Sequence, residues 1–213
     1  MGRRALPRID PTLDISRYHR TVAQLLSAPW EPAEIFGRLA PLEFEVGSGK
    51  GLFLQTASQA TPSHNFLGVE VAAKYARFIA HKLAKRELSN VVAVHGDALQ
   101  LLREKVPEGS LEAVHVYFPD PWWKARHHKR RVMTAAFLAD VVRTLRPGGR
   151  LHFWTDVREY FDNTLELIRE QTPLTGPIEV AERPPEHELD YRTHFERRMR
   201  LAGEPVYRSE FVK

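Results

Sequence analysis

Five carboxylates stand where short apolar runs end: Glu45, Glu70, Asp97, Asp120 and Asp156. Each singly has a plain reading as a helix N-cap or a turn residue. Five in register are hard to obtain from capping alone, and Glu is a poor cap. A row of such groups accepts hydrogen bonds and holds positive charge. Directly after Glu45 come Gly47, Gly49 and Gly51. Alternate glycines after a strand let backbone N–H groups come close to a ligand, because a Cβ would block the approach or forbid the turn. Two common glycine loops do not fit. A phosphate-binding loop would need glycine at Phe44 and Ser or Thr at Gly51, and the dinucleotide fingerprint would need glycine at Leu52. An ordinary tight strand–helix turn remains open.

The elements that would position these groups follow from periodicity. Strands are expected at Leu42–Val46, Asn65–Glu70, Val91–His95, Leu111–Phe118, Arg150–Thr155, Ile178–Ala181 and Val206–Val212. Helices are expected over Leu52–Ser58, Val71–Glu87, Val132–Leu145 and Arg158–Gln171. Tyr75, Phe78, Ile79 and Leu83 share one face of the second, and Pro147-Gly148-Gly149 stops the third. This alternation predicts an α/β fold: a doubly wound, mostly parallel seven-stranded sheet with helices on both faces. Ligands bind beyond the carboxyl ends of such strands, where the five acids fall. Residues 42–213 form this domain, and residues 1–41 read as a basic N-terminal arm with short helices at Asp14–Ser27 and Pro32–Leu39. The arm either contacts RNA or packs on the domain as a solvated extension.

Composition narrows the classes. The chain has 213 residues, 43% of them hydrophobic, enough for one sizeable core. It has no cysteine, which excludes disulfides and thiolate metal sites. No apolar run reaches membrane-spanning length, Arg3-Arg4 has no apolar segment after it, and Leu6 stands where myristoylation wants Ser or Thr. A cytoplasmic location is expected. The net charge of +4 says little by itself; its distribution matters more.

That distribution is uneven. Phe118-Pro119-Asp120-Pro121-Trp122-Trp123 stiffens Asp120 between two prolines and presents two tryptophans able to stack on a base. Residues 124–131 follow with five Lys/Arg, two His and no acid. Beside such a loop, phosphate contact outweighs a merely solvated face. The His pair lacks the H-E-x-x-H spacing of a metal site, so no metal is expected.

Taken together, E-V-G-S-G-K-G, L-G-V-E, G-D-A, F-P-D-P-W-x-K-x-R-H-x-K-R-R, W-T-D and Tyr191-Arg192-Thr193-His194-Phe195-Glu196 resemble the bacterial tRNA (guanine-N7-)-methyltransferase family, of Rossmann-like fold, from about Leu42 to Lys213. The resemblance implies S-adenosylmethionine (SAM) as methyl donor and guanosine 46 of the tRNA variable loop as target. It implies that Glu45, Glu70, Asp97 and Asp120, with the loop of Gly47, Gly49 and Gly51, bind SAM, and that Asp120 is also catalytic. It implies that Lys124, Asp156, Thr193, His194, Phe195 and Glu196 contact the guanosine, and that Arg126, His127, His128, Lys129, Arg130 and Arg131 touch RNA. The donor's chemistry suits these types: two ribose hydroxyls for Glu70, an adenine amino group for Asp97, a positive amino end for Glu45. A monomer or a homodimer is compatible with all of this.

Guanine N7 carries a free lone pair, so no proton need leave before attack. Asp120 is therefore expected to align and stabilise rather than to act as a general base. Three other classes remain: a SAM methyltransferase acting on a small molecule or protein, an RNA-binding module on a decayed core, and a NAD-dependent oxidoreductase. The basic run opposes the first, the intact acids the second, and Leu52 the third.

Overall fold

A computed structural model describes residues 6–122, 125–182, 184, 187 and 191–213. Its centre is an eight-stranded sheet in the order β1-β4-β3-β2-β5-β6-β8-β7. The strands are β1 (His19–Thr21), β2 (Leu42–Val46), β3 (Asn65–Glu70), β4 (Val91–His95), β5 (Leu111–Tyr117), β6 (Leu145–Thr155), β7 (Thr175–Glu179) and β8 (Tyr207–Val212). All neighbours from β1 to β6 pair in parallel, and β8 runs antiparallel between β6 and β7. The chain winds outward from β2 through β3 and β4, then returns to β2's other side with β5. That reversal opens a crevice at the strands' carboxyl ends.

Alternation along the strands sends side chains to two cores. On one face Phe44, Val69, Val94, Val116 and Phe153 pack with residues of α1 (Val22–Ser27), α2 (Pro32–Phe36), α5 (Ala98–Glu104), α6 (Ala135–Thr144) and α7 (Arg158–Gln171). On the other, Phe66, Ala93, Tyr117 and Trp154 pack under α3 (Leu52–Ala60) and α4 (Ala73–Lys85). Polar caps fix the helix starts. Thr21 and Gln24 form a capping box at α1, and Thr134 accepts from Phe137 N–H at α6.

The sheet has one strand more than expected, because His19–Thr21 pairs with Ala93–His95 instead of continuing a helix from Asp14. Three residues without apolar alternation carry no strand signal; the open edge of β4 supplies it. Val22, Leu25, Ile35 and Phe36, all before Leu42, join the first core. Helix α5 was not anticipated either, being only seven residues long. A last helix, α8 (His194–Leu201), follows Thr193.

Candidate active site at the carboxyl ends of the strands

The glycine turn after β2 is built by backbone conformation. Gly47, Gly49 and Gly51 have φ of +79°, +54° and +70°, a region side chains rarely adopt. A Cβ on Gly51 would lie 2.8 Å from Ile79 Cγ2, whereas one on Gly47 or Gly49 would meet nothing within 4 Å. The first two glycines thus border open space and the third packs against α4. Gly47 and Ser48 N–H donate to Val69 O at 2.8 and 3.2 Å, tying the turn to β3.

Glu70, at the end of β3, is buried and accepts two backbone N–H groups: Gly49 at 2.8 Å and Ala72 at 2.9 Å. Each oxygen keeps a second lone pair. Glu45 is also buried, and its Oε2 has no hydrogen-bond partner. Burial raises its carboxyl to about 8; the Ser48 hydroxyl pulls the other way, and the nearby Glu70 carboxylate adds to the rise. That hydroxyl still makes no hydrogen bond of full geometry. An unpartnered buried carboxyl group fits a cationic ligand that completes it.

The remaining acids sit on the same edge with different duties. Asp97 Oδ1 caps α5, accepting from Leu99 N–H at 2.8 Å and Gln100 N–H at 3.3 Å, so its plain reading as an N-cap is realised. Gly96 N–H donates to Glu70 O at 3.1 Å, which joins that turn to β3. Asp120 is exposed, after the buried Tyr117, and Asp156 is half-buried at the end of β6. Phe118 and Trp122, bracketing Asp120, have φ of +50° and +47°. Strain of this kind costs about 1–3 kcal/mol per residue and persists only where surroundings enforce it. Here Phe118 N–H donates to Trp154 O at 2.8 Å, the Phe118 and Phe195 rings lie 4.8 Å apart, and Arg131 Nε donates to Pro121 O at 2.8 Å.

The basic run starts as a 3-10 helix, Ala125–Arg130. The Arg130 guanidinium lies 5.0 Å from the Trp122 ring, and the His127 ring meets Trp122 edge-on at 5.8 Å. Arg126 and Arg130 are exposed. Lys124 lies outside the described residues, as do the side chains of His128 and Lys129. Among the described residues no cluster of His, Asp or Glu could hold a metal ion.

The Thr193–Glu196 segment is a helix start. Thr193 Oγ1 accepts from Glu196 N–H at 3.0 Å, and Glu196 Oε2 accepts from Arg192 N–H at 2.6 Å. Glu196 is buried, with Arg200 and Arg208 guanidinium groups 3.3 and 3.4 Å from its Oε1. Burial among these partners gives Glu196 a structural duty: it holds the start of α8 and two arginines. Arg192 itself lies 6.0 Å over Phe53 and 5.9 Å over Trp154, close to the end of β6.

A buried polar chain was missed from the sequence. Tyr117 Oη lies 2.9 Å from His115 Nδ1, His115 Nε2 lies 2.7 Å from Glu43 Oε2, and Glu43 Oε1 lies 2.7 Å from His64 Nδ1. Burial lowers His115 to about 4, so the neutral ring takes the Tyr117 proton donor at Nδ1 and donates from Nε2. Glu43 falls to about 2 although burial opposes this, because hydrogen bonds from His115 and His64 stabilise the anion. Period-2 placement of Glu43 with Glu45, and of His115 with Tyr117, was the available signal.

Residues 39–209 match a family described as putative methyltransferase. A tRNA (guanine-N(7)-)-methyltransferase from Rhodopirellula baltica is 50% identical over 214 residues, 98% of this chain and 79% of that protein. One from Dechloromonas aromatica is 38% identical, over 88% of this chain and 75% of that protein. Among solved structures, an antibiotic-related methyltransferase superposes with a TM-score of 0.58 at 14% identity, covering 87% of this chain and 94% of that one. A SAM-dependent O-methyltransferase from Thermotoga maritima superposes with 0.55 at 16% identity, over 85% of this chain and 62% of that one. These two share the fold. With half its residues matched along almost its entire length, and with the glycine turn and strand-end acids assembled on one edge, this chain belongs to the tRNA (guanine-N(7)-)-methyltransferase family.

Proposed function

We propose that this protein transfers a methyl group from SAM to N7 of guanosine 46 in the tRNA variable loop. The observation that carries the donor reading is the buried, unpartnered Glu45 carboxyl group beside Glu70 at an open glycine turn. When bound there, SAM supplies an electrophilic methyl group. Glu45 would accept from its ammonium, Glu70 from the ribose hydroxyls with its spare lone pairs, and Asp97 from the adenine amino group. Backbone of Gly47, Gly49 and Gly51 would border the same ligand.

Asp120, stiffened by Pro119 and Pro121, would face the purine. Guanine N1–H and its amino group are donors, and carboxylates of Asp120 and Asp156 accept them; adenine offers an acceptor at N1 and is refused. Positive charge develops on the purine as N7 is alkylated, and a fixed carboxylate stabilises it. Lys124, Thr193, His194, Phe195 and Glu196 would complete the nucleoside pocket. Arg126, His127, His128, Lys129, Arg130 and Arg131 would meet tRNA phosphates, in the cytoplasm, with the protein as a monomer or homodimer.

The test is incubation of unmodified tRNA with methyl-labelled SAM, followed by digestion to nucleosides. Label in 7-methylguanosine, lost when guanosine 46 is replaced by adenosine, is expected. Asp120→Asn should lower kcat about 100-fold with little change in SAM affinity, and wild-type kcat should stay flat between about pH 6.5 and 9. Full activity of the Asn variant would remove Asp120 from the mechanism.

A further inference from the structure

The edge formed by Glu45, Glu70, Asp97, Asp120 and Asp156 suits the ammonium and ribose of the donor but repels its α-carboxylate. A carboxylate brought there needs a cation that is not already committed. Arg200 and Arg208 are engaged with Glu182 and Glu196, and Lys82 Nζ donates to Lys50 O at 3.2 Å, bracing the glycine turn from below. Arg192 differs. It is exposed, and its only interactions among the described residues are with the Phe53 and Trp154 ring faces and, through its backbone N–H, with Glu196. Phe53 is the second residue of α3, directly after the glycine turn, and Trp154 precedes Asp156 by two. Both rings pack on the Tyr117 ring, at 5.1 and 5.2 Å, and Tyr117 ends β5 beside β2, the strand that carries Glu45.

We propose that Arg192 binds the α-carboxylate of the methyl donor, so that Glu45 and Arg192 together clamp its amino-acid end. This rests on the SAM reading above. Aromatic faces hold the guanidinium in place without neutralising it, so its planar donors stay available for a carboxylate. The Glu196 bond to the Arg192 backbone adds a second anchor. The clamp would recognise the zwitterionic end of the ligand, which neither the ribose nor the adenine contacts can do.

The test is calorimetric titration with S-adenosylhomocysteine and with its decarboxylated analogue, which keeps the amine. Arg192→Ala should weaken S-adenosylhomocysteine about 10- to 100-fold and leave the decarboxylated analogue unchanged, which also shows that the variant is folded. Arg192→Lys should recover part of the loss. Equal weakening of both ligands, or of neither, overturns the assignment. A wild-type protein that binds neither ligand overturns the donor reading, and this inference with it.

Discussion

Glu70 reaches from the end of β3 to the Gly49 amide at 2.8 Å, so one carboxylate ties the glycine turn to the neighbouring strand. Its other oxygen takes the Ala72 amide at 2.9 Å. Glu70→Gln keeps one acceptor and turns an NH2 group towards a backbone N–H. It should lower stability by about 2 kcal/mol and weaken SAM binding at least tenfold, measured by urea unfolding and calorimetry. Unchanged stability would mean that the turn holds itself.

Glu45 links ligand binding to pH. Its folded value of about 8 lies above the ordinary 4.5, so the free protein keeps it protonated at neutral pH. The stability this confers is full below pH 4.5 and is lost as pH rises through 8. Glu45→Gln should therefore raise Tm by several degrees, about 3–8 °C, at pH 8.5 and shift it little at pH 4.5. A cationic ligand that needs the ionised form should release a proton on binding at pH 7. Calorimetry in buffers of different ionisation enthalpy reads that directly.

Glu43 and His115 predict acid sensitivity. Glu43, lowered to about 2 from 4.5, contributes stability above pH 4.5 that is lost as pH falls through 2. His115, lowered to about 4 from 6.5, is held neutral by burial, and its contribution is full above pH 6.5 and lost as pH falls through 4. Both act in the same direction. Glu43→Gln should cost about 3 kcal/mol at pH 7 and much less at pH 2. A pH-independent loss would show that the carboxylate's charge is immaterial.

The glycines of the turn should separate stability from binding. Gly51→Ala places a methyl group 2.8 Å from Ile79 Cγ2 at φ +70°, and should cost about 2–4 kcal/mol. Gly49→Ala meets open space and should cost about 1–2 kcal/mol, from its φ alone. The methyl at residue 49 nevertheless enters the open space where the proposed donor would lie, so SAM affinity should fall more than stability does. Thermal unfolding and titration of the two variants give the ranking.

Local signals in the chain were enough to determine the strand–helix alternation, the glycine turn and the acids that follow the strands. Apolar period, glycine spacing and proline stops act within a few residues, and the parallel registers from β2 to β6 then bring those acids to one edge. Tertiary structure alone decided what depends on distant partners. The edge of β4 turned His19–Thr21 into a strand, although nothing in those three residues alternates. Packing joined Glu43 to His115 across 72 positions and gave Glu196 two arginines to hold. Whether a carboxylate caps a helix, as Asp97 does, or stays buried without a partner, as Glu45 does, depends on which N–H groups the folded chain brings within reach. Residue type and local spacing do not contain that distance.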